Sequence, residues 1–390
     1  MAKYSVKEIN AMIDAKVKEA EALELDQIRQ YASIDCGTGN LEGNAKVVAL
    51  TDSILEKIPG IKIRHIATPT HGTMVVATVN EGNPNGKIVL NGHLDTVFKP
   101  GDVAAHPFHI EGDIGYGLGA VDCKGGLVVA MNAVRILAET NLLPDKEIRF
   151  LFNCDEEVGS TECGPYLKEE AAGAEMALVF EPARGDDGIL TARKGNVTYS
   201  VEIHGVSAHA GTSYLDGRSA VVELAKKIMY LYEHNIDEKT VQFNIAGIKD
   251  GGRPRNVVPD YAEAKVSVRF FDADELAYIE KCMKEVAVPY IDGCTVKVTR
   301  DGITEAMSHT EGNINLYKYI KGVGAEIGMD LSEQITSGSG DAGLFTTMGI
   351  PSVDALGPHM FKIHSTEEHF RVSSVLPRTR LTACILAALD

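Results

Sequence analysis

KIVLNGHLDTV, residues 87–97, opens with an apolar run, Ile88 to Leu90, that does not alternate with polar residues, and closes on His93 and Asp95. A strand apolar on both sides is buried on both faces, as parallel strands are, rather than wetted on one. Side chains two apart on a strand point the same way, so His93 and Asp95 share a side at its end. EIRFLFNCDEE (147–157) and MALVFEP (176–182) have the same form, an apolar strand running into carboxylates. IKIRHIATP (61–69), TMVVATVN (73–80) and PSVDALG (351–357) supply further strands. Helical periodicity separates them in GGLVVAMNAVRILAET (125–140) and NLYKYIKGVGAEIG (315–328). This order predicts an α/β fold with a mixed, mostly parallel sheet flanked by helices. The first fifty residues predict two helices around the loop SIDCGTGNLEG (33–43), the first opened by a capping box of Ser5 and Glu8.

Near residue 194 the pattern changes. GNVTYSVEIHG (195–205) alternates, a helix follows over 217–233, then come VQFNIAGIKDG (241–251), YAEAKVSVRFF (261–271), a helix over 273–287 and TVKVTRD (295–301). This β-α-β-β-α-β order predicts a ferredoxin-like module, a four-stranded sheet with two helices on one face. The predicted organisation is a catalytic domain in two parts, 1–193 and 306–390, interrupted by the module at 194–305.

A length of 390 residues with 44% hydrophobic and 24% charged residues suits a packed globular chain. The net charge of −17 sets the mean field against nucleic acid and anionic membranes. Seven scattered cysteines without a CxxC pair fit free thiols in a reducing compartment, and the amphipathic start lacks a signal-peptide centre. A cytoplasmic location is expected.

Five segments place metal-binding side chains where sheets of this kind hold their sites, at loops after strands. A histidine such as His93 at a strand end is more often structural, but Asp95 beside it can fix its tautomer. In GYGLGAVDCKGG (115–126) Asp122 sits in a glycine-dense turn. The formal GxGxxA there resembles a dinucleotide fingerprint, yet the helix starts only after Asp122, which argues against it. Asp155, Glu156 and Glu157 leave a buried strand together, and three such anions repel one another without a cation. Glu156 and Glu157 face differently, so one can bind metal while the other works on water. Glu181 ends a fourth segment, and the last contains Asp341, His359, His364 and His369, several of which must be structural. The inventory suits metal-assisted hydrolysis, in which divalent ions polarise a carbonyl and acidify water. Imidazole and carboxylate donors suit zinc, with cobalt or manganese as alternatives. No GxSxG elbow or Walker loop competes.

GHLDTV, GAVDCKGG, CDEEVGS, FEP, GVSAHAGT, SGSGDAG and KIHSTEEHF, in this order over most of the chain, resemble the M20 family of metallopeptidases. Within it they resemble the glutamate carboxypeptidase (carboxypeptidase G2-like) branch, alongside acetylornithine deacetylase and succinyl-diaminopimelate desuccinylase. The resemblance implies two zinc ions, one on His93 and Glu181 and the other on Glu157 and His364, with Asp122 bridging. Asp95 would orient His93, Glu156 would be the general base and acid for the attacking water, and a cis peptide would follow Asp122. Relatives often have an aspartate where this chain has Cys123. The module resembles the family's lid and dimerisation domain, which implies a homodimer. His209 matches a lid histidine that reaches a neighbouring subunit's site and stabilises the oxyanion. Asn256 and Arg269 match positions that hold a substrate carboxylate, with Arg300 a weaker candidate.

The resulting expectation is a hydrolase cutting a peptide or amide bond near a free carboxylate, with a C-terminal glutamyl residue as the leading substrate. Its rivals are an N-acyl amino acid deacylase, a dipeptidase or tripeptidase, and a non-catalytic binding protein that kept the fold. An intact Glu156 argues against the last.

Overall fold

The computed structural model describes residues 3–185, 187–236 and 241–389, and the chain divides into two compact units. The first comprises Met1–Ala192, His309–Thr336 and Asp341–Asp390; the second comprises Arg193–Ser308 and Ser337–Gly340.

The first unit is built on a six-stranded sheet. Its spatial order is Lys62–Ala67, Thr73–Val79, Glu147–Asn153, Lys87–His93, Met176–Val179 and Ser352–Val353. The last four strands run parallel to their neighbours, while the first two are joined antiparallel at one side. The three strands that end in chemistry are apolar without alternation because helices cover both faces. The helix Gly126–Glu139 contributes eleven buried residues, from Gly126 to Leu137, and packs against the terminal helix Val375–Ala387. Its first residue nearly touches the strand that delivers Glu181: a Cβ on Gly126 would lie 1.8 Å from the Phe180 carbonyl oxygen.

The capping box forms at Ser5, but the N-terminal region holds three helices rather than two: Val6–Glu19, Glu21–Tyr31 and Leu41–Leu55. The chain turns at Ala20, whose N–H bonds to the carbonyls of Lys16 and Val17. This lets the first helix bury Val6, Ile9, Ile13 and Val17 while the second buries Glu24, Ile28 and Tyr31. A small sheet of Met360–Phe361, His369–Arg371, Ile114–Tyr116 and His109–Glu111 has strands too short for a periodicity signal. All seven cysteines are buried free thiols.

The second unit holds a four-stranded antiparallel sheet in the order Gln242–Asp250, Tyr261–Phe270, Gly195–His204, Thr295–Thr304. The helices Ala220–Glu233 and Ala273–Val286 pack on it, and its apolar positions form a core of their own, with Val197, Tyr199, Val201 and Ile203 along one strand. Alternation is clean there because the helices cover only one face.

The Gly126 contact can be tested against a glycine in open space. Gly126→Ala forces backbone against backbone and is expected to destabilise by about 3 kcal/mol. Gly322→Ala, in the exposed middle of the helix Glu311–Glu326 with nothing near its Cβ position, is expected to stabilise by about 1 kcal/mol. Urea unfolding of both variants checks the pair, and a wild-type midpoint for Gly126→Ala would contradict the close approach.

Candidate metal centre

Strand register decides which side chains meet. His93 pairs with Asn153 on one neighbour and Asn91 with Val179 on the other, so the three strands end level. The segments 154–157 and 180–181 therefore leave the sheet beside His93, at the carboxyl edge where open α/β sheets hold ligands. The glycine-dense turn brings Asp122 to the same edge, and its Asp122–Cys123 peptide bond is cis.

Asp122 stands between two histidines. Its Oδ1 lies 3.1 Å from His93 Nε2 and its Oδ2 lies 3.1 Å from His364 Nε2. Each histidine has a second carboxylate: Glu181 Oε1 is 3.4 Å from His93 Nε2, and Glu157 Oε2 is 3.3 Å from His364 Nε2. Donor atoms of His93, Asp122 and Glu157 all lie within 4.8 Å of one another. A tetrahedral shell with bonds of about 2.0–2.1 Å has edges of about 3.3 Å, which the 3.1–3.4 Å contacts of the two histidines with their carboxylates match.

The His93 ring gives an independent test of fit. Its Nδ1 faces the Asp95 carbonyl at 3.1 Å and Asp95 Oδ1 at 3.3 Å, while Nε2 faces carboxylates. With acceptors at both nitrogens, the ring must carry a second proton or meet a cation at Nε2. Burial disfavours the charged ring, yet Glu181 leads the groups that hold its pKa well above the usual imidazole value. Hydrogen bonds first to Asp122 and then to Glu157 hold His364 up at about 10. Burial would raise Asp122, but the hydrogen bonds to His364 and His93 hold it far below the usual carboxylate range. Glu156 behaves oppositely: burial, and then the Glu181 charge, push it well above that range. The set is over-supplied with negative charge, and the residues fit one or more divalent cations.

Asp95 does more than face His93. Its carboxylate accepts the Thr38 hydroxyl at 2.7 Å and the backbone N–H groups of Glu156 and Glu157 at 3.2 Å each. Lys124, buried, donates to the Asp95 carbonyl at 2.8 Å. Glu368, also buried, accepts from the turn that carries Asp122. Thr38, Lys124 and Glu368 carry little sequence signal; of the three, only Lys124 stands out, as a lysine inside an otherwise apolar, glycine-rich stretch.

The remaining candidates separate. Asp155 accepts the N–H groups of Glu162 and Cys163 and anchors the turn. Asp341 accepts the Ser160 hydroxyl at 2.5 Å, and burial pushes it up to about 6. His359 pairs with Asp187 at 2.7 Å, and His369 stacks on Phe361, so neither joins the cluster. Cys123 donates its thiol to the Phe180 carbonyl at 3.1 Å. His364 has a left-handed backbone, φ 60°, a conformation costing a residue other than glycine about 1–3 kcal/mol and found disproportionately at functional sites.

In the second unit, His209 is exposed and its Nδ1 accepts the N–H groups of Gly211 and Thr212 at 3.1 and 3.2 Å. With Nδ1 accepting, Nε2 is the ring nitrogen left to donate. The Asn256 carbonyl accepts the Ala210 N–H, so these two segments are adjacent, and both side chains are exposed. Arg269 hydrogen-bonds Ser339, whereas Arg300 pairs with Glu280 of the module's own helix.

The sequence profile described as "Peptidase family M20/M25/M40" matches residues 89–388. Carboxypeptidase G2 of Pseudomonas sp. (strain RS-16) is 30% identical over 382 residues, covering 95% of this chain and 89% of that protein. A succinyl-diaminopimelate desuccinylase of Corynebacterium glutamicum is 26% identical over 332 residues, covering 80% and 83%. The crystal structure of aminopeptidase PepT from Bacillus cereus ATCC 10987 superposes with a TM-score of 0.78 at 21% identity, covering 94% of this chain and 97% of that one.

The His364 ion pairs give a pH signature in chelator-treated protein. Its folded pKa of about 10 lies above the ordinary 6.5, so its contribution to stability is full below pH 6.5 and is lost as pH rises through 10. The stability difference between wild type and His364→Gln, followed by urea unfolding in EDTA, is expected to shrink between those limits. A difference constant with pH would contradict the pairing.

Proposed function

The chain belongs to peptidase family M20/M25/M40, and from that premise we propose that it is a two-metal hydrolase acting on a peptide or amide bond next to a free carboxylate. The observation that carries this reading is Asp122, with one oxygen beside His93, whose Nε2 also meets Glu181, and the other beside His364, whose Nε2 also meets Glu157. In the proposed assignment His93, Asp122 and Glu181 hold one ion and Asp122, Glu157 and His364 the other. Zinc is the expected metal, with cobalt or manganese as alternatives. When bound, such a pair supplies Lewis-acid polarisation of the scissile carbonyl and a lowered pKa for water.

Glu156 is proposed as the general base and acid. It leaves the same strand as Glu157 but makes no ion pair with either histidine among the described contacts. Its carboxylate would take a proton from the attacking water and return it to the leaving nitrogen. Asp95 keeps this geometry by holding His93 and the backbone of residues 156 and 157 at once. His209 is proposed to donate its Nε2 proton to the oxyanion, a role its tautomer permits. Asn256 and Arg269 are proposed to hold the substrate carboxylate, Arg269 by a planar two-point grip.

We propose that the module, 194–305, serves as a lid and pairs two copies of the chain. Val221, Val222, Met229 and Tyr232 on the helix Ala220–Glu233 are exposed apolar side chains suited to such a contact. A C-terminal glutamyl or similar residue is the leading substrate. A second reading, deacylation of N-acyl amino acids, is favoured by similarity to a protein named as a desuccinylase. No helix of the described residues is long and apolar enough to cross a membrane, and a cytoplasmic location is proposed.

A hydrolysis screen of N-acyl amino acids and dipeptides, with zinc, cobalt or manganese added, tests the reading. Activity is expected on substrates with a free carboxylate next to the scissile bond and is expected to vanish with chelator. Glu156→Ala should lower turnover by about 10²–10⁴-fold while metal content stays at the wild-type level. Retained turnover in that variant would refute the role given to Glu156.

A further inference from the structure

We propose that Glu368 is a positioning residue that sets the spacing of the two cation seats by tying the turn bearing Asp122 to the loop bearing His364. The proposal rests on the two-seat reading above. Glu368 is 1% exposed, and its carboxylate gathers three backbone donors from one turn. Oε2 accepts the N–H of Gly119 at 3.0 Å, and Oε1 accepts those of Val121 and Asp122 at 3.2 and 3.4 Å. Its own carbonyl accepts the Gly117 N–H at 3.2 Å, extending the pairing of His369–Arg371 with Ile114–Tyr116. Toward the other side, the Glu368 N–H donates to the Ser365 carbonyl at 3.1 Å and closes the turn that begins directly after His364. One residue therefore holds the backbone of Asp122 and the exit of the His364 loop together.

One seat needs this more than the other. Asp122 serves two histidines from one carboxylate, so a small shift of its turn opens one contact or the other. His93 stands on a buried central strand, whereas His364 sits on a half-exposed loop in a left-handed conformation. The His364 seat is thus the one that depends on an outside restraint. A carboxylate suits the task, because three N–H donors converge and it offers acceptors alone; the amide of glutamine would turn an NH₂ toward at least one of them. The adjacent Glu367 is exposed and pairs with Lys362, which makes it the internal control.

The test is zinc titration of metal-free protein against a chromophoric chelator, with apo-protein melting recorded in EDTA. Wild type and Glu367→Gln are expected to bind two zinc ions with the same two affinities. Glu368→Gln and Glu368→Ala are expected to keep one of them within about threefold and to lose about 10–100-fold at the other, the usual effect of removing a group that orients a ligand. The weakened phase should be the one that His364→Gln abolishes. Unaltered affinities in Glu368→Gln, or equal weakening of both phases in step with a lower apo melting temperature, would overturn the proposal. Fewer than two zinc ions on the wild type would instead overturn the two-seat reading beneath it.

Discussion

A single carboxylate shared by two imidazoles governs this site. Asp122 has one oxygen 3.1 Å from His93 and the other 3.1 Å from His364, and each imidazole meets a further carboxylate within 3.4 Å. In the protein alone these carboxylates favour the charged imidazoles, holding His364 at about 10, and the histidines in turn hold Asp122 far below its ordinary range. A divalent ion in each pair would take over that charge and leave the imidazoles neutral, the state in which they ligate. The surrounding structure keeps this arrangement from relaxing by mutual repulsion.

Three parallel strands supply most of that constraint. Their register pairs His93 with Asn153 and Asn91 with Val179. His93, the 155–157 turn and Glu181 consequently emerge level with one another. Asp95 then couples the first two, accepting from the backbone of Glu156 and Glu157 while facing His93. The Asp122 turn and the His364 loop come from outside this frame, and Glu368, beside the small sheet, joins the two.

Much of this was legible in the sequence because it depends on local pattern. Apolar runs ending in His93, Glu156, Glu157 and Glu181 identified the strands and their shared edge, and the alternation after residue 194 marked the second sheet. The family resemblance singled out His364 from three nearby histidines, a choice that spacing alone left open. What stayed hidden depends on distant contacts. Glu367 and Glu368 are indistinguishable as letters, yet one is exposed and the other braces residues 246 to 249 positions away. Asp155 looked equivalent to its two neighbours until its hydrogen bonds to Glu162 and Cys163 gave it a structural place. The break at Ala20 carries no glycine or proline, so the helical pattern ran through it.

The distances around Asp122 carry this account. Anomalous diffraction at the zinc absorption edge, from crystals of the protein grown with zinc, tests that account most directly. The account predicts two strong peaks, one among His93, Asp122 and Glu181 and the other among Asp122, Glu157 and His364. A map without peaks at Asp122, or with zinc bound only at other residues, would contradict it.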